Sequence, residues 1–146
     1  MSKGNILKLN CFHFIVAIIV FGVVTNMIGH KSINGTFTDD TQDYLIGLTN
    51  ETFSDSISSG ECFVLFYTED SELCAEMHHN LNQLAKTKQE NVKFLKLNVS
   101  KYPESVYEYN ISGVPNIFIF KEGKEHKRVM GVVPTHNLEK IYSKLF

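Results

Sequence analysis

Cysteine is scarce in this chain. There are three in 146 residues, Cys11, Cys62 and Cys74, too few for a disulfide framework. Neither charge dominates, with 14 Lys and Arg against 16 Asp and Glu and a net charge of −2. That balance gives no electrostatic footprint for nucleic acid or for an anionic membrane surface. No Gly-rich phosphate loop occurs, and no His/Cys cluster has metal-ligand spacing. The sequence therefore implies no cofactor and no metal. His78-His79 is the nearest approach to a ligand pair. Neighbours in a helix point about 100° apart, so this pair is expected on a solvated helix face.

What is present suffices for a core without disulfide staples, since hydrophobic residues make up 43% of the chain. The length fits one domain with a short appendage. That appendage is the N-terminus. Lys3 and Lys8 precede Phe14 to Val24, eleven unbroken apolar residues. A run of that length suits the apolar core of a signal peptide, about 7–15 residues, and falls short of the roughly 20 needed to span a bilayer. Residues 1–29 are thus expected to be a signal peptide, or a membrane anchor if uncleaved, and the remainder to be exported. The membrane would be a partner only through that segment. Residues 30–43 are polar, with Gly35, Thr36, Asp39 and Asp40, and read as a linker. Four glycosylation sequons begin at Asn34, Asn50, Asn98 and Asn110, more than the Asn, Ser and Thr content would give by chance. Asn98 ends a buried-looking strand, a poor place for a glycan.

Periodic segments begin at Tyr44. Tyr44 to Leu48 reads as a short strand. Asn50 is placed to cap a helix over Glu51 to Ser58, which Gly60 ends. Cys62-Phe63-Val64-Leu65-Phe66-Tyr67 shows no polar alternation, as expected of a strand covered on both faces. A helix follows from Glu72 to Thr87, with Cys74, Met77, Leu81, Leu84 and Ala85 on one stripe. Ser71 is suited to cap it. Val92 to Leu97 is the next strand, and Pro103 opens a short helix through Tyr109. Ile117–Phe120 and Lys127–Met130 flank a hairpin turn at Lys121-Glu122-Gly123-Lys124. Pro134 introduces a last helix carrying Leu138, Ile141, Tyr142 and Leu145. Strands alternating with helices imply an α/β fold: a mixed, mostly parallel sheet, helices on both faces and a closing antiparallel hairpin.

Cys62 and Cys74 are not expected to bridge. The intervening strand, at about 3.3 Å per residue, separates them by more than about 10 Å, whereas a disulfide needs Cα atoms within about 7 Å. For Cys74 two readings stand side by side. It lies in the apolar stripe, where a free thiol packs like any small hydrophobe, and Glu69, Asp70 and Glu72 surround it with charge of the wrong sign for a thiolate. Alternatively it is a lone reactive thiol at a helix N-terminus.

Several short segments, in this order, resemble the thioredoxin superfamily, nearest to thioredoxin and protein disulfide isomerase domains. They are Leu48-Thr49-Asn50-Glu51-Thr52-Phe53, the Phe66-Tyr67 pair, Lys96-Leu97-Asn98-Val99, Pro103-Glu104 through Tyr109-Asn110-Ile111, Gly113-Val114-Pro115, Phe120-Lys121-Glu122-Gly123-Lys124 and Gly131. The resemblance implies a thioredoxin fold over residues 44–146. It also implies that Ser71-Glu72-Leu73-Cys74 is a degenerate form of the family's Cys-x-x-Cys motif. Ser71 stands where the attacking cysteine would be, and a serine hydroxyl does not exchange disulfides. Asp70 replaces the preceding tryptophan, and Leu65 the buried proton-relaying acid. Pro115 matches the family's cis-proline, and the resemblance implies that Val114 offers its backbone to an extended peptide. Two functions follow as expectations. The first is binding of extended or unfolded polypeptide, or of a fixed protein partner, through the Ser71/Pro115 face. The alternative is a monothiol protein-disulfide oxidoreductase or isomerase acting through Cys74 in cell redox homeostasis.

Overall fold

The computed structural model describes residues 42–146. The signal or anchor segment, most of the linker, Cys11 and the Asn34 sequon lie outside the described residues.

The element order is β1 (Ile46–Gly47), α1 (Asn50–Ile57), β2 (Glu61–Tyr67), α2 (Glu72–Lys88), β3 (Lys93–Asn98), α3 (Glu104–Glu108), β4 (Asn116–Lys121), β5 (Lys124–Met130) and α4 (Thr135–Leu145). One five-stranded sheet has the order β1-β3-β2-β4-β5. The β1–β3 and β3–β2 ladders are parallel, and the β2–β4 and β4–β5 ladders antiparallel. This is the expected α/β architecture.

β2 is the central strand, and its pleat divides the core. Phe63 and Leu65 face one side with Met77, Leu81, Leu84 and Ala85 of α2, Ile117 and Ile119 of β4, and Leu138 of α4. Cys62, Val64 and Phe66 face the other, against Phe53 and Ile57 of α1, Leu95 and Leu97 of β3, and Phe118 and Phe120 of β4. Alternate side chains of a strand must point to opposite faces, so a strand covered by helices on both sides buries nearly all of its side chains. Full burial of each large apolar side chain contributes about 1.5–3 kcal/mol, which makes β2 the least replaceable element.

Three local expectations shift. The strand at Tyr44–Leu48 contracts to Ile46–Gly47, which register with Leu95 and Lys96 of β3. The α1 cap is Thr49 rather than Asn50: its hydroxyl accepts from the Thr52 amide, and the Thr52 hydroxyl accepts from the Thr49 amide in return. This is a reciprocal capping box. β5 begins at Lys124 rather than Lys127. Only Glu122 and Gly123 form the turn, both at positive φ (49° and 75°), the conformation that two-residue hairpin loops require.

Candidate functional site

Where β2 ends at Tyr67, the chain turns through Thr68, Glu69 and Asp70 and enters α2 at Ser71. Ser71 is extended (φ −109°, ψ 118°), and its hydroxyl accepts a hydrogen bond from the Cys74 amide at 3.3 Å. This is the cap its residue type suggested. Glu72 and Leu73 are on the surface, Leu73 at 57% exposure. Cys74 turns inward and is 1% exposed. Its sulfur lies 3.9 Å from the Thr68 hydroxyl. The other thiol of the domain, Cys62, is fully buried within β2, and both are free. Burial pushes the Cys62 thiol up to about 11, against the pull of Lys93.

The second half of the site is the loop before β4. The Val114–Pro115 peptide bond is cis. Val114 is half-buried and Pro115 buried. The Pro115 carbonyl accepts from the Gly131 amide at 2.9 Å, and the Val133 amide donates to the Met77 sulfur of α2 at 3.2 Å. The segment after β5 therefore ties the proline loop to the first turns of α2. Leu73 precedes Met77 by one turn, and Met130 adjoins Gly131 at 62% exposure. Asn116, directly after the proline, is buried with its Oδ1 unpaired, a polar group left at some cost where most of its kind are satisfied.

An open cleft of about 220 Å³ adjoins Cys74, lined by Tyr67, Thr68, Glu69, Cys74, Ala75, His78 and Lys96. His78 follows Cys74 by four residues, so both lie on one helix face. Its Nε2 stands 3.2 Å from Lys96 Nζ and 3.3 Å from Asp43 Oδ1, while Lys96 also pairs with Asp43. Burial and the Lys96 charge hold the His78 imidazole below its ordinary value, opposed by Asp43. Burial raises the Asp43 carboxyl, but hydrogen bonds from Lys96 and from the Leu45 amide, with the Lys96 charge, bring it below its ordinary value. On the far rim Glu69 accepts from Lys101 at 2.8 Å and from the Asn98 amide group at 3.1 Å.

The structure thus brings Ser71 and Cys74 into direct contact and binds the Pro115 loop to α2. It corrects the expectation for the histidine pair. His79 is exposed, but His78 is half-buried and bridges an acid and a base. It also brings Asp43 into the folded unit. The Asp43–His78–Lys96 group was not foreseen. The available signal was Lys96 itself, a lysine on the same face of β3 as the buried Phe94.

The family model for thioredoxin matches residues 44–144. The chain belongs to the thioredoxin family. Thioredoxin of Chlamydia trachomatis is 32% identical over 97 residues, covering 66% of this chain and 94% of that protein. Thioredoxin of Staphylococcus saprophyticus is 27% identical over 100 residues, covering 68% and 96%. Thioredoxin M4 of Arabidopsis thaliana chloroplasts is 37% identical over 67 residues, covering 46% and 35%.

Proposed function

We propose that this chain is an exported thioredoxin-like domain that binds extended or unfolded polypeptide, or one fixed protein partner, through the Ser71/Pro115 face. Residues 1–29 act as signal peptide or anchor, 30–43 as linker and 44–146 as the binding domain. The observation that carries this reading is the Ser71–Cys74 contact. The residue that opens α2 is a hydroxyl committed to a cap, and the one thiol of the motif is 1% exposed. Dithiol exchange needs two sulfurs, an attacking thiolate and a resolving one; the other described thiol, Cys62, is buried within a strand. A grip on polypeptide needs neither. Leu73 and Met130 are exposed apolar side chains on the two segments joined at the proline loop, and a backbone strand beside Val114 would supply pairing groups.

The test combines two assays. Reduction of insulin by dithiothreitol should run no faster with the protein present. Binding of a fluorescent unfolded polypeptide should weaken at least several-fold in Leu73→Asp and Met130→Asp and persist in Cys74→Ala. A rate enhancement abolished by Cys74→Ala would overturn the reading. Sequencing the N-terminus of the mature protein tests the processing of residues 1–29.

One observation favours a second reading, a monothiol oxidoreductase. Cys74 borders an open cleft that also holds His78 and Lys96; a neutral imidazole can accept the thiol's proton, and an ammonium places positive charge near the resulting thiolate. Mixed disulfides trapped on Cys74 in the native compartment would support it over the binding module.

A further inference from the structure

The three sequons of the folded domain occupy different environments. Asn98 is 6% exposed. Its Oδ1 accepts from the Ser100 and Lys101 amides at 2.9 and 3.3 Å, and its Nδ2 donates to Glu69 at 3.1 Å. Both ends of that amide are engaged within the fold, and a sugar on Nδ2 has no room. Asn50 and Asn110 are exposed, as are the hydroxyl residues of their sequons, Thr52 and Ser112. Asn50 donates to Glu104 at 3.1 Å on the surface. A glycosylated amide keeps one N–H, so that bond survives modification. Asn110 sits in the left-handed region (φ 49°) just past α3. Its carbonyl accepts from Arg128 at 3.0 Å, and its side chain bonds to no other described residue.

We propose that Asn50 and Asn110 are N-glycosylation sites and that Asn98 is not, in the folded protein. The inference rests on the export reading above. The reaction joins Nδ2 to the anomeric carbon of an oligosaccharide carried on a lipid pyrophosphate. The N–C bond forms, the C–O bond to pyrophosphate breaks, and the amide proton leaves with the phosphate side. No electrons are transferred. The two glycans would stand at opposite ends of α3, the Asn50 site linked to its start through Glu104 and the Asn110 site just past its end. Tyr107, 83% exposed and one turn before Asn110, would offer its ring to the inner sugar.

The test expresses the full chain, carrying Asn34→Gln, in cells that glycosylate in the endoplasmic reticulum, with and without a well-characterised cleavable signal fused in front. The soluble folded fraction is mapped by mass spectrometry before and after glycosidase treatment. Glycans at Asn50 and Asn110, one lost in each of Asn50→Gln and Asn110→Gln, with Asn98 bare in the map of the Asn34→Gln parent, are the expected result. A glycan on Asn98 in that fraction, or its absence from either other site in the signal-fused form, overturns the assignment. Glycans in the fused form alone would uphold the sites and refute export by residues 1–29.

Discussion

The Cys74 amide donates to the Ser71 hydroxyl across the first turn of α2. On the proposed reading, the two positions that would form a redox couple, were both cysteine, form a helix cap instead. Loss of the cap in Ser71→Ala should cost about 1 kcal/mol, read as a lower midpoint in urea. The more telling change is Ser71→Cys. Cα atoms three residues apart on a helix lie about 5 Å from each other, inside the Cα range that a disulfide accepts. Under oxidising conditions Ser71→Cys should lose both the introduced thiol and the Cys74 thiol to modification, and should accelerate insulin reduction where the parent does not. Two thiols that stay reduced, with no acceleration, would show that the turn is set against the bond.

Burial makes a direct prediction for the native thiols. Cys74 is 1% and Cys62 0% exposed, and burial pushes the Cys62 thiol up to about 11, so neither sulfur is open to a reagent in the native fold. Mapped site by site, a maleimide should label neither in the native protein within minutes and both in concentrated guanidinium. Rapid native labelling of Cys74 alone would transfer weight to the monothiol reading.

Asn82 holds the start of the domain. Its Oδ1 accepts from the Tyr44 amide at 2.7 Å, and its Nδ2 donates to the Gln42 carbonyl at 2.9 Å. The side chain is buried on the α2 face that otherwise carries Leu81 and Ala85. Asn82→Ala removes both bonds from backbone groups that water can reach in part, a loss of about 0.5–1.5 kcal/mol for each. The expected signature is local. Hydrogen exchange at Tyr44 should speed up more than exchange in β2, whereas uniform acceleration would mean that the clamp serves the whole fold.

These tests also mark the limits of what the sequence disclosed. β2 was legible because a strand buried on both faces must be apolar throughout, and α2 because its stripe keeps helical spacing from Cys74 to Ala85. The cap of α1 fell one residue off because Thr49 and Asn50 are both capping types, and only backbone geometry separates them. β1 shrank because pairing, not composition, defines a strand, and β3 offers it two partners. The Ser71–Cys74 half of the site follows from local spacing. The Asp43–His78–Lys96 group does not, since it assembles three distant segments and depends on which way each side chain turns.

That group contributes to the acid response. The unfolded chain holds His78 at its ordinary value near 6.5, and the folded chain holds it lower because of burial and Lys96. Between the two values the unfolded state binds a proton that the folded state does not, so unfolding free energy rises with pH there. The stability is fully present above about 6.5 and is lost as pH falls through the lower, folded value. The geometry explains the loss. Neutral Nε2 accepts from the Lys96 ammonium at 3.2 Å; once protonated, it turns a second positive charge toward that ammonium, offset in part by Asp43 at 3.3 Å. Asp43, lowered from 3.8, adds a separate loss at more acid pH, of the same sign. Urea midpoints measured from neutral pH down to about 4.5 should therefore decline in the native sequence and decline less in His78→Gln. Equal slopes for His78→Gln and the parent would place the proton elsewhere and leave the Nε2 contacts without a role in stability.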